Sequence, residues 1–185
     1  MSKARVNADN VTADIAGITA STGLTGGGTS GTVTLAIDTA TTVDLSTVQN
    51  LSNKVLISPE ERTTLSTSVP TATTNFDADT QGVLYLTGST TSDWTLNVRG
   101  SGSTTLDTKL ATGDSLSIIF IVTNGGTAYK HSAMTIDGNA QTVNWSGGTA
   151  PAAGNASSKD AYSFTIFKTA SATFTVFGAG PVKYA

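Results

Sequence analysis

The order of residues along this chain predicts an all-β fold: an extended Gly/Thr-rich N-terminal stalk followed by an antiparallel β-sandwich of jelly-roll type. Two features point there. Apolar and polar residues alternate with a period of two in six separate runs, as they do in strands with one covered face. Every aromatic residue lies at or beyond Phe76, so the material for a core is confined to one part of the chain.

The first of these parts, residues 1–22, is polar apart from isolated apolar positions. Val6, Val11, Ile15 and Ile18 stand out there and are the candidates for an attachment contact with another protein. Residues 23–75 read as the stalk. Within it Gly23–Gly31 looks like a hinge, and Val33, Leu35 and Ile37 then alternate as in a strand. Ser58, Pro59 and Glu61 supply an N-cap, a first-turn proline and a capping box, which predict a short helix over residues 58–65. Burying a Leu, Ile or Val stabilises by roughly 1.5–3 kcal/mol, whereas ordering each residue costs roughly 1–2 kcal/mol. The first seventy or so residues are therefore expected to order only against partner chains.

Residues 76–185 form the expected sandwich. Its strands are Val83–Leu86, Trp94–Val98, Leu116–Val122, Val143–Trp145, Tyr162–Phe167 and Phe174–Phe177. Turns fall at Asn124-Gly125-Gly126, Asp137-Gly138 and Ser146-Gly147-Gly148, all residues that accept positive φ. The last two strands are expected to close as a hairpin across Thr169–Ala172.

Composition narrows the function. Charged residues make up 12% of the 185 residues, where an ordinary soluble domain carries about 25%. Their place is taken by Thr, Ser, Gly, Ala and Asn, a surface that tolerates packing against identical copies. The net charge of −3 leaves no basic footprint for nucleic acid. There is no cysteine for disulfides or thiolate metal sites. The longest strongly apolar run, Leu116–Val122, is too short for a membrane span. The basic N-terminus lacks the apolar stretch of a signal peptide, so synthesis in a cytoplasm without export through a membrane pathway is expected.

Several short motifs suggest chemistry and are outweighed by plainer readings. Gly113-Asp114-Ser115-Leu116 spells an esterase signature, but the chain has one histidine, His131, and no strand-turn-helix context surrounds Ser115. His131 alone reads as a surface or interface residue. Asp77, Asp79, Gln81 and Gly82 imitate a calcium loop whose twelfth position is Gly88 instead of the bidentate Glu. The glycine clusters Gly26–Gly28 and Gly100–Thr104 lack the Lys of a phosphate loop. Asn144 and Asn155 head glycosylation tripeptides, read as coincidence in a chain expected not to be exported. Trp94 and Trp145 are the candidates for a ligand-contact platform, with core packing the more ordinary use of a strand tryptophan. No catalytic, cofactor or metal residue is assigned.

Two stretches resemble fibre proteins of tailed bacteriophages, particularly those of marine cyanobacteria. Ile18–Leu35, continuing through Asp38 to Asn50-Leu51-Ser52-Asn53-Lys54, is similar to a stalk repeat of such fibres. Trp94–Asn97, Trp145–Pro151, Gly154–Ser158 and Thr173–Val176 resemble a β-domain of cyanophage virion proteins. The resemblance implies a non-enzymatic, intertwined homotrimer on the exterior of the virion. Its N-terminus would be anchored on another virion protein and its C-terminal domains presented to the host surface, where a glycan is the candidate contact. Phage tail fibres are usually far longer, so a capsid decoration or head fibre is the alternative, and a carbohydrate-binding module the alternative from another class.

Overall fold

The structure, a computed structural model, describes residues 17–29, 32–38, 42, 55, 57, 59–61 and 63–185. The chain divides into two compact units, Met1–Ile57 and Ser58–Ala185. Among the described residues the regular structure is β-sheet with almost no helix, as expected for an all-β chain.

In the first unit, β1 (Ile18–Thr19), β2 (Leu24–Gly28) and β3 (Leu35–Ile37) form an antiparallel sheet in that order. The glycine run expected to be a hinge is instead the central strand. Gly26 and Gly27 have φ of 105° and 122°, and a Cβ on Gly27 would stand 2.5 Å from the Ile18 carbonyl oxygen. Glycine is what lets three backbones come this close without side chains of their own to pack. Val6, Val11 and Ile15 lie outside the described residues, and Ile18 is half-buried in β1.

Among its described residues the second unit has ten strands: β4 (Thr63–Ser66), β5 (Thr73–Asp77), β6 (Val83–Thr90), β7 (Trp94–Arg99), β8 (Ser115–Asn124), β9 (His131–Ile136), β10 (Asn139–Gln141), β11 (Val143–Trp145), β12 (Lys159–Ala170) and β13 (Thr173–Tyr184). All six predicted runs are strands. The pairing is not that of an antiparallel jelly roll. From β4 to β9 the chain alternates between two sheets, and each strand lies parallel to the one two places earlier, β4 with β6, β5 with β7, β6 with β8 and β7 with β9. This is a coil of three turns with one strand in each sheet per turn. Alternation of side chains reports which face is covered and is identical for parallel and antiparallel partners, so it does not reveal the pairing. Antiparallel pairing is confined to β9–β10, β8–β12 and the long β12–β13 hairpin, and β11 adds parallel to β13. The sheet orders are β10-β9-β7-β5 and β11-β13-β12-β8-β6-β4.

Two expectations at the boundary need correction. The second unit begins ahead of residue 76, since β4 and the start of β5 belong to its sheets. Residues 63–65 are strand, not helix, paired Thr63↔Val83 and Leu65↔Tyr85. Ser58, the predicted cap, lies outside the described residues. A one-turn helix has little intrinsic stability, and two β-branched threonines beside the apolar edge of β6 favour the sheet.

Inward side chains of both sheets share one core, including Phe76, Leu96, Phe120, Phe164 and Ile166. Trp94 of the four-stranded sheet meets Phe120 of the six-stranded sheet with ring centroids 4.7 Å apart. The inward row of β12 runs Asp160, Tyr162, Phe164, Ile166, Lys168, so each end of the core is closed by a buried charged residue. Asp160 accepts from Asn124 Nδ2 at 3.0 Å and from Asn155 N and Nδ2, each at 2.8 Å. Lys168 Nζ donates to the Asp107 carboxylate at 2.7 Å and to the carbonyls of Asp107 and Leu110. These last residues border α1 (Leu106–Lys109), a single helical turn the sequence did not announce. Asp137, in the β9–β10 turn, accepts from the backbone N–H groups of Leu106 and Asp107 at 2.8 and 3.1 Å, satisfying donors that a helix start leaves open.

Candidate functional site: an uncharged sheet face

The outer faces of the two sheets differ in chemistry. On the four-stranded sheet Asn75, Asn97 and Thr135 stand side by side on β5, β7 and β9, held by the parallel register. Asn97 donates to Asn75 at 2.9 Å and accepts from Thr135 at 2.8 Å and from the Gly138 N–H at 2.9 Å. Asp77 and Arg99 form an ion pair at 2.6 Å on the same face. These polar groups satisfy one another, and the face needs no covering partner.

The outer face of the six-stranded sheet mixes apolar with hydroxyl-bearing side chains and carries no charge across its centre. One row, fixed by register, runs Leu65, Tyr85, Ile121, Ala161, Val182 from β4 to β13. A second runs Thr63, Val83, Ile119, Ser163, Ala179. Beyond them Ser117, Thr165, Phe177 and Asn144 line up, and then Phe167 opposite Thr175. Leu65 is 67% exposed, Val182 52%, Phe177 50% and Ile119 41%. The Phe167 and Phe177 rings stack edge to face with centroids 5.9 Å apart on this outer surface. At the β11 edge, Asn144, Trp145, Ser163, Thr165 and Phe177 line a shallow depression of about 350 Å³.

The sequence carries a signal for this face. Ile118–Val122 is apolar at every position, and a strand apolar on both sides reads as one covered on both sides. The chain covers only the side of Ile118, Phe120 and Val122. In the first unit the cross-strand pair Leu24↔Ile37, together with Leu35, likewise stays on the surface, with 45%, 64% and 43% of each residue exposed.

The predicted site residues divide. Trp94 is fully buried and offers no ring face to a ligand, which overturns its assignment as a contact residue. Trp145 is half-buried at the rim of the depression. His131 is a core residue, not a surface one. It is 5% exposed and surrounded by Trp94, Trp145, Phe164 and Tyr162 at centroid distances of 5.2, 5.5, 5.3 and 6.1 Å. Burial there lowers its pKa to about 4, so the ring is neutral. Ser115 opens β8 on the exposed outer surface, whereas His131 packs on the inner side against Phe164, the partner of Ile118 three residues further along β8, roughly 10 Å at 3.3 Å per residue. The structure does not bring the two together. Asp77 and Asp79 diverge to separate cations, Arg99 and Lys109, instead of converging on an ion site. The Asn144 and Asn155 amides are engaged, with Val176 O and Asp160 respectively. Among the described residues, no helix is long and apolar enough to cross a membrane.

No protein-family model matches the chain, and no curated protein or solved structure matches it significantly.

Proposed function

We propose that this chain is a structural component of a bacteriophage particle, a short trimeric fibre anchored by its N-terminal segment and presenting its C-terminal β-domains outward for host contact. The carrying observation is the exposed apolar face of the three-stranded sheet, where Leu24, Leu35 and Ile37 lie on the surface of a single chain. A sheet this small cannot cover that face itself, and three strands with a hydrophobic face are stable when something packs against it. The likeness of Ile18–Lys54 to a fibre stalk repeat supports sister chains as what packs there. Low charge supports the same reading, because identical copies with few charges do not repel one another. No bond is made or broken in this role. Three weak contacts presented together gain avidity without new chemistry.

Sedimentation velocity of the full chain tests it: a trimer is the expected species, and a stable monomer at micromolar concentration overturns the reading. Labelling the C-terminus on intact particles then separates a tail fibre from a head fibre or capsid decoration. The depression beside Trp145 favours one second reading, carbohydrate binding. Its check is a glycan array in which Trp145→Ala abolishes a signal that the wild type gives.

A further inference from the structure

We propose that the outer face of the six-stranded sheet, centred on Ile119, Thr165 and Phe177, is buried between sister copies of this chain, turned toward the same face of the other copies around their common axis. The proposal rests on the self-associating reading above and names a surface in the second unit that the reading does not require.

Size is the first support. At about 3.3 Å per residue and 4.8 Å between strands, nine residues each of β8, β12 and β13 with the shorter β4, β6 and β11 give a face of roughly 650 Å², above the roughly 500 Å² per partner that a specific interface needs.

Charge selects the occupant. A partner of different chemistry would meet complementary charges, and across the centre of the face the rows of Ile, Val, Phe, Ser and Thr offer none; Lys159 stands at one end, beside Thr123 and Tyr184. An identical copy needs no complementarity, because an uncharged face is compatible with itself. The hydroxyls of Ser117 and Thr165, 3.3 Å apart, and of Ser163 can bond across such a contact. The polar face of the other sheet, with its Asn75–Asn97–Thr135 bonds complete, supplies the internal contrast.

The experiment uses three full-length proteins: wild type, Ile119→Lys with Phe177→Lys, and a control with Thr73→Lys and Thr95→Lys on the polar sheet. Sedimentation is expected to show association weakened roughly 100-fold or more in the first variant, which must desolvate charges in the contact, and unchanged in the control. A first variant that keeps the wild-type mass overturns the proposal while leaving the self-associating reading intact; a monomeric wild type overturns both. A spin label on Ser163→Cys, the sole thiol in an otherwise cysteine-free chain, covers the case of a variant that fails to fold. Dipolar coupling between labels supports the contact, and an oligomer without coupling overturns it.

Discussion

His131 stands edge-on to Trp94, ring centroids 5.2 Å apart at an interplanar angle of 74°, and neither His131 Nε2 nor Trp94 Nε1 has a hydrogen-bond partner among the described residues. Aromatic packing holds the neutral imidazole in place of polar contacts, and protonation would put an uncompensated charge in the core.

Stability is therefore expected to depend on this one ring between pH 6.5 and about 4. Burial depresses the folded pKa, so across that window the unfolded chain binds the proton that the folded chain refuses. The contribution is complete above pH 6.5 and is lost as pH falls toward 4, by about 3 kcal/mol in all. Denaturation curves taken across the window should show a smaller decline for His131→Phe than for wild type. Parallel declines would remove His131 as the cause.

Asn97 serves three neighbours at once, so its loss should exceed that of Asn75, which accepts one of those bonds. Asn97→Ala is expected to destabilise by roughly 1–3 kcal/mol, since it leaves the Gly138 N–H and the Thr135 hydroxyl without their acceptor. Asn75→Ala, at an exposed position, should stay within about 0.5 kcal/mol of wild type. Urea midpoints compare the two, and equal shifts would contradict the ladder.

Lys168 closes one end of the core, and Lys168→Met would leave two backbone carbonyls without a donor. A loss of about 2 kcal/mol is expected from calorimetry. The Lys168 ammonium, by direct hydrogen bonding, also holds the Asp107 carboxyl below the usual carboxylate range, helped by the Ala172 N–H. In the variant the Asp107 carboxyl should titrate at higher pH by NMR. An unmoved titration would mean that the lysine is not what lowers it.

Gly154 brings Asn155 over Asp160 through a space no side chain can share. A Cβ there would fall on the Tyr129 carbonyl and lie 2.8 Å from Asp160 Oδ2. Gly154→Ala is expected to cost roughly 3 kcal/mol, the upper end for overpacking. Gly126→Ala, with open space around it, should change thermal stability little.

Much of the second unit was legible locally. Asp137-Gly138 turns β9 into β10 with φ of 51° and 80°, as two-residue hairpins require, and Ser171-Ala172 turns β12 into β13. The candidate face was legible only in part. Ile119 and Ile121 sit in a run apolar on both sides, but Leu65 and Val182 join them only through pairings with distant strands. Strand β9 was missed because His131 and Ser132 disguise its alternation, and β4 because Pro59 and Glu61 spell a helix start.

The sequence by itself determined that this is a β protein, where most of its strands and turns lie, and that its aromatic core belongs to the C-terminal part. Those properties depend on side-chain period and turn chemistry, which act over a few residues. Tertiary structure alone decided that neighbouring strands coil in parallel between two sheets, that His131 and Trp94 share the interior, and that one outer face is left without charge across its centre. Each of these depends on which distant backbones exchange hydrogen bonds, and residues with the same alternation can satisfy that choice in more than one way.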